Sequence, residues 1–135
     1  HLHHEKTYAC IEGPRLGSRA ESFFLRDSAK CDLVGMTNVP EVFLAREAQM
    51  AYCCLCLVTD YDCWMDDPTQ HVSVDKFFAT YQGTLEKAQN VLSALVQGSL
   101  RPTSGDIRHA LMGAVLTPDD ALTPEQQNWL GVLRR

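Results

Sequence analysis

An uninterrupted apolar run, Cys53-Cys54-Leu55-Cys56-Leu57-Val58, leads directly into Thr59-Asp60-Tyr61-Asp62. A run of this length without alternation reads as a strand, Cys53–Asp60, that must be covered on both faces, as in sheets flanked by helices. Two further strand-like stretches precede it. Thr7–Glu12 alternates and stops at Gly13-Pro14, and Cys31–Val34 is short and apolar. Helical segments separate the three. Ser18 followed by Glu21 is a capping-box pattern that opens a helix over Arg19–Lys30. Pro40 fits the first turn of a second helix reaching Tyr52, with Asn38 and Glu41 as reciprocal caps.

Beyond a polar loop, Tyr61–His71, lies the strongest periodicity. Val74, Phe77, Phe78, Tyr81, Leu85, Ala88, Leu92 and Leu95 keep the spacing of one helix face, with Ser73 as cap and Gly98 as stop. Such a stripe reads first as core, and its nearness to the acidic loop leaves a pocket wall open. Pro102-Thr103-Ser104-Gly105 is a loop, Asp106–Val115 a short helix, and Thr117-Pro118 a second break. Thr123-Pro124-Glu125-Gln126 caps a last helix that runs to Leu133. The order β-α-β-α-β-α followed by helices predicts an α/β fold, a mixed sheet flanked by helices. Three strands suit a part of such a sheet better than a whole one.

Composition narrows the partners. Of 135 residues, 17 are Asp or Glu and 12 are Lys or Arg, a net charge of −5. That balance argues against a chain-wide nucleic-acid or anionic-membrane binder. No stretch approaches the roughly 18–20 apolar residues of a membrane span. The start, HLHH, lacks the basic and apolar segments of a signal peptide, so the expected location is cytoplasmic. Six cysteines are too few for a secreted disulfide scaffold. Cys10, Cys53, Cys54 and Cys56 lie in apolar runs and read as small core side chains in a reducing compartment. Cys53 and Cys56 have a metal-like spacing, but zinc wants four ligands and no second pair follows, so no metal is expected.

In α/β sheets, ligands gather beyond the carboxyl ends of the strands. Gly13–Ser18, Gly35–Asn38 and Thr59–Asp62 hold those places. The Gly35–Asn38 connector leads toward a helix start, which suits an anion such as phosphate, and the Thr37 hydroxyl adds a donor. Ordinary capping is the competing reading. Neither a P-loop nor a dinucleotide fingerprint is present. In extended geometry Asp60 and Asp62 point to one side. Paired carboxylates favour one proton held between them, which can be donated to a leaving group. Cation binding with Asp66 and Asp67, or a solvated turn, are the alternatives.

Four ordered stretches carry a resemblance: Thr7–Ser22 (TYACIEGPRLGSRAES), Val34–Ala48 (VGMTNVPEVFLAREA), Leu57–Trp64 (LVTDYDCW) and Val72–Phe78 (VSVDKFF). They resemble the second half of 5′-methylthioadenosine phosphorylases, within the trimeric purine nucleoside phosphorylase family. The likeness covers residues 7–95, and the helical tail 96–135 matches more loosely. It implies that residues 1–135 are the C-terminal portion of one phosphorylase/hydrolase-like domain. The implied reaction is attack of phosphate on C1′ of methylthioadenosine, releasing adenine and 5-methylthioribose 1-phosphate. Phosphate is then a co-substrate and no cofactor is needed.

The resemblance also implies roles. Asp60 would protonate or hydrogen-bond the purine N7, and Asp62 would help hold the 6-amino group, with Thr59 and Tyr61 lining that pocket. Met36 would lie under the ribose and Thr37 would bind phosphate. Val74, Phe77 and Phe78 would border the sugar and its 5′-methylthio group. A carboxylate accepts from a 6-amino group but mismatches a 6-oxo group, so adenine is the expected base.

Leu16 and Gly17 depart from the family's usual Phe-Ser. Leu16 forgoes an aromatic stacking contribution of roughly 0.5–1.5 kcal/mol, and Gly17 removes a hydroxyl. One extra residue falls in Asp27–Cys31 and another in Met65–His71. The family's Gly-rich loop and Arg-His phosphate ligands are absent from this stretch. The implied partners are therefore the N-terminal half of the enzyme as a separate chain and two further copies in a homotrimer. A non-catalytic binding or assembly subunit, and a phosphorylase for another purine nucleoside, are the competing expectations.

Overall fold

The computed structural model describes residues 2–70, 73–101 and 105–134, which fall into two units. One is drawn from His1–Asn38 and Leu55–Leu100, the other from Val39–Cys54 and Arg101–Arg135.

In the first unit, β1 (Tyr8–Cys10) pairs in parallel with β2 (Leu33–Gly35), Tyr8 beside Leu33 and Cys10 beside Gly35. The Thr7 carbonyl accepts from the Leu33 N–H at 3.1 Å, and the Gly35 carbonyl accepts from the Ile11 N–H at 2.9 Å. The Asp32 carboxylate reinforces the pair from outside the ladder. It accepts from the Thr7 N–H at 2.9 Å and from Lys6 Nζ at 3.1 Å.

The crossover is α1 (Arg19–Phe23), opened by the expected capping box. Ser18 Oγ accepts from the Glu21 N–H at 3.2 Å, and the Glu21 carboxylate accepts from the Ser18 N–H at 3.3 Å. Past Phe23 the helix widens into a π turn, Phe24–Ser28, with the Ala29 N–H on the Phe24 carbonyl at 2.9 Å. A π turn takes up one more residue than an α turn.

The strand expected over Cys53–Asp60 does not form. The described residues hold a two-stranded sheet, β1 with β2, and Cys53–Asp60 lies outside it without regular structure. A strand exists through the hydrogen bonds of its neighbours, and no described strand runs beside this one. Its burial is lost with its pairing. Cys53, Cys54 and Val58 are exposed, so the cysteines are not core side chains, and Cys10, Cys31 and Cys56 are only half-buried.

The helix α3 (Val74–Gln97) forms where its periodicity places it. Ser73 Oγ accepts from the Lys76 N–H at 3.3 Å, and Gly98 ends the helix in an extended conformation. Its apolar stripe is not core. Val74, Phe78, Leu92 and Leu95 are each more than half exposed, and Leu85 and Ala88 are half-buried. Among the described residues no apolar side chain is fully buried.

Among the described residues the second unit holds three α-helices and a short 3-10 turn at Asp119–Ala121. Helix α2 (Glu41–Glu47) stops well short of Tyr52, and its N-cap is Pro40, which has no capping side chain, in place of the expected Asn38. Gln49 follows with φ 55°, a left-handed backbone that turns the chain. Its Oε1 accepts from the Leu111 N–H at 3.1 Å, and its Nε2 donates to the Leu133 carbonyl.

Helix α4 (Gly105–Arg108) is shorter than the expected Asp106–Val115, the Ala110 N–H already bonding the Ile107 carbonyl in a tighter turn at 3.3 Å. In a continued helix the Leu111 N–H would bond the Ile107 carbonyl. Here it bonds a side chain, and turns run on through Gly113 at φ 75°. Helix α5 (Pro124–Leu133) has the expected Thr123–Gln126 capping box and Pro124 in its first turn. The loop expected at Pro102–Ser104, and the ends of two motifs at His71 and Val72, lie outside the described residues, as does His1.

Candidate functional site

Within the first unit, β1, the loop before α1, the exit of β2 and the Thr59–Trp64 segment surround a cavity of about 1030 Å³. Leu16, Gly17, Met36, Thr59, Asp60, Tyr61, Asp62 and Phe77 all line it. Residues spread over more than sixty positions of chain are thus brought to one space, eight of the eleven singled out in the sequence. Ligand pockets are commonly roughly 300–1,000 Å³, so the space is of the size that holds a small organic molecule.

Each lining residue has a local cause. Met36 follows β2 directly and reaches back over the exit of β1. A Cβ on Gly13 would stand 2.9 Å from Met36 Sδ, so only glycine lets the side chain lie there undisturbed. Leu16 sits on the rim, 85% exposed. A Cβ on Gly17 would stand 3.2 Å from Glu21 Oε2, a carboxylate already held by Arg15 at 2.8 and 2.9 Å. Phe77 lies on the first turn of α3, its ring parallel to Tyr81 at 6.2 Å and edge-on to Phe78 at 5.4 Å.

The carboxylates are tied to their own segment. Asp60 Oδ2 accepts from Thr59 Oγ1 at 2.7 Å, and Asp62 Oδ1 accepts from the Cys63 N–H at 2.8 Å. A carboxylate has about four acceptor positions, so both keep capacity for a ligand donor. A second cavity of about 330 Å³ shares Thr59, Asp60, Tyr61 and Phe77 and adds Lys76, whose Nζ donates to the Thr69 carbonyl at 2.5 Å.

Thr37, Val74 and Phe78 do not line the larger cavity. Thr37 is exposed, and the turn at Val39-Pro40 separates it from the first residue of α2, Glu41, so Gly35–Asn38 is not itself a helix start. Among the described residues no group of three or more His, Cys, Asp and Glu is placed to hold a metal ion. No helix among them is long and apolar enough to cross a membrane.

Sequence reasoning missed two residues. Ser22 is the fully buried side chain of the cavity wall, 2% exposed, and its hydroxyl lacks a hydrogen bond of normal geometry among the described residues. It neighbours the Cys63 thiol. Although Cys63 as a whole is exposed, desolvation of its sulfur pushes the thiol up, the Asp62 charge adds to this, and Ser22 opposes it. The available signal was Ser22's place one turn after Ser18 on the capped helix. Trp64 is the second. It lines the cavity, meets Tyr61 edge-on at 5.9 Å, and carries the Arg26 guanidinium 4.4 Å from its ring.

Comparison with known proteins gives these contacts a context. The family model of the phosphorylase superfamily matches residues 2–100. The S-methyl-5′-thioadenosine phosphorylase of Thermosynechococcus vestitus is 38% identical over 133 residues, covering 98% of this chain and 45% of that protein. That of Saccharolobus solfataricus is 47% identical over 95 residues, covering 70% and 34%. A methylthioadenosine phosphorylase from an antarctic soil metagenomic library superposes with a TM-score of 0.72 at 40% identity, over 95% of this chain and 44% of that one. The Schistosoma mansoni methylthioadenosine phosphorylase in complex with adenine superposes with a TM-score of 0.64 at 33% identity, over 87% and 41%. The chain spans under half the length of these relatives.

Proposed function

Because this chain belongs to the phosphorylase superfamily, with a partial version of its fold of helices and strands, we propose that it forms the purine-binding part of an enzyme that phosphorolyses 5′-methylthioadenosine. The products are adenine and 5-methylthioribose 1-phosphate, so the reaction is a pentosyl transfer to phosphate in purine and methionine salvage. The observation that carries this reading is the convergence of Asp60, Asp62, Leu16, Met36 and Phe77 on one cavity.

Cleavage of the glycosidic bond leaves electron density on the purine. Asp60 relieves it by protonating or hydrogen-bonding N7, which makes adenine a better leaving group. Asp62 accepts from the 6-amino group and so prefers adenine over a 6-oxopurine. Met36 lies under the ribose, Thr59 and Tyr61 complete the base pocket, and Phe77 borders the uncharged 5′-methylthio group. Val74 and Phe78 extend that apolar wall, and Thr37 binds phosphate, once the remaining half of the enzyme is present.

That half supplies the other phosphate ligands as a separate chain or across a nick, and the assembled unit is a cytoplasmic homotrimer. The exposed, unpacked stripe of α3 supports a need for more protein around this chain. The same exposure, with Leu16 and Gly17 in place of Phe-Ser, favours a second reading: an assembly subunit that keeps the fold and binds without catalysis.

The test is phosphate-dependent release of adenine from methylthioadenosine by the assembled particle, compared with adenosine and inosine. Release with methylthioadenosine preferred supports the proposal. Absence of release moves the weight to the assembly subunit, and a preference for inosine contradicts the role given to Asp62. Mass spectrometry of the particle showing this chain alone overturns the two-chain arrangement.

A further inference from the structure

Residues 59–67 carry two of the four carboxylates that line the cavity, Asp60 and Asp62, yet have no strand or helix of their own. No backbone ladder sets their position. The contacts that do so come from α1 and its π turn. Arg19 Nη2 pairs with Asp66 Oδ1 at 2.5 Å, and Arg19 Nη1 donates to the Cys63 carbonyl at 3.4 Å. Two turns along, Arg26 lies over Trp64 at 4.4 Å. Phe23 stands between the two guanidiniums, 5.0 Å from Arg19 and 5.1 Å from Arg26. Asp27 in turn orients Arg26 through two bonds, at 2.7 and 3.2 Å.

The two contacts differ in weight. Asp66 is 82% exposed, so water and salt screen its pair with Arg19. Arg26 and Trp64 are both half-buried, and a guanidinium over an indole face is attracted more strongly as solvent is removed. Trp64 is two residues from Asp62 and meets Tyr61 edge-on, so whatever holds its ring holds the acidic turn.

We propose that Arg26 and Trp64, seconded by Arg19 and Asp66, are positioning residues that set where Asp60 and Asp62 stand in the cavity and thereby govern base selection. The acidic turn keeps local bonds of its own, the Met65 N–H on the Asp62 carbonyl at 3.1 Å among them, and side chains of α1 and its π turn fix it against the rest of the unit. The clasp itself is independent of the reaction, whereas its consequence for base selection rests on the functional reading above.

Two measurements on the assembled full-length protein test this. This chain has two tryptophans, so Trp129→Phe leaves Trp64 as its one fluorescent probe, read as the difference from the same assembly carrying Trp64→Phe. In that background Arg26→Ala is expected to shift Trp64 emission to the red and open it to iodide quenching, while Arg26→Lys, which keeps the charge but loses the flat stacking face, gives an intermediate result. Unchanged emission and quenching in Arg26→Ala overturn the clasp.

The second measurement is the ratio of kcat/KM for methylthioadenosine to that for inosine. Arg26→Ala is expected to lower this ratio by about tenfold, as displaced reacting groups do, with Trp64→Phe retaining most of it and the KM for phosphate unmoved. A freed Trp64 with an unchanged ratio overturns the role in base selection. A parent protein that leaves methylthioadenosine intact overturns the functional reading and with it base selection, while the emission measurement still decides the clasp.

Discussion

The Tyr8 hydroxyl occupies the space a side chain on Gly35 would need: a Cβ there would stand 1.9 Å from Tyr8 Oη and 2.6 Å from its Cζ. Tyr8 on β1 lies across the end of β2, and glycine lets the two strands keep their parallel register while Met36 leaves toward the cavity. Replacing Gly35 with Ala is therefore expected to destabilise the chain by about 1–3 kcal/mol through overpacking. Denaturant unfolding of the full-length protein measures this. A double change with Tyr8→Ala should recover part of the loss, and no recovery would refute the steric cause.

Ser18→Ala removes the acceptor of the Glu21 N–H and half of the capping box. The expected cost is about 1 kcal/mol, with faster amide exchange in the first turn of α1. Ser18→Asp keeps an acceptor and should restore protection at Glu21.

The acid response follows from three carboxylates. The Arg15 guanidinium holds Glu21 below its usual range, Arg26 does the same for Asp27, and the Thr7 N–H, followed by Lys6, does so for Asp32. A depressed folded-state pKa adds stability that is complete above the unfolded value and disappears as pH falls through the folded value. The β1–β2 pairing and the start of α1 should thus loosen in acid, below the ordinary carboxylate range. Circular dichroism along a pH titration reads this. Asp32→Asn should flatten the acid limb, and an unaltered limb would contradict the assignment.

Gln49 joins two segments of the second unit through one side chain. Gln49→Ala leaves the Leu111 N–H without its acceptor, an expected cost of about 1–3 kcal/mol to the extent that the site stays dry. Amide exchange at Leu111 should rise while that in the interior of α3 is unchanged. Equal protection at Leu111 in both proteins would show that the bond contributes nothing.

Leu16 sits on the cavity rim with space around it, so Leu16→Phe can add a ring face without displacing neighbours. The proposed purine site should then bind adenine roughly two- to tenfold more tightly, as an added aromatic stack provides. Isothermal titration of the assembled protein checks this. Weaker adenine binding in Leu16→Phe would place the base elsewhere.

The amino-acid sequence by itself determined the features whose causes are local. The Ser18 and Thr123 caps, the proline that opens α5 and the full length of α3 depend on residues within a turn or two, and each stands where it was read. The four motifs carried the family. Features that depend on distant partners followed the tertiary structure. Cys53–Asp60 is apolar enough for a covered strand, yet a strand needs a neighbour's hydrogen bonds, and no described strand runs beside it. The stripe of α3 has the right spacing for a core, but burial requires a surface to pack against, and Val74, Phe78, Leu92 and Leu95 remain exposed. Helix α4 gives way early to tighter turns, where Gln49, far away in the sequence, takes the Leu111 N–H. The cavity divides the same way. Asp60 and Asp62 stood out in the sequence by their spacing and both line the cavity, whereas the buried Ser22 and the Arg26–Trp64 stack exist only because α1 is folded back over the acidic turn.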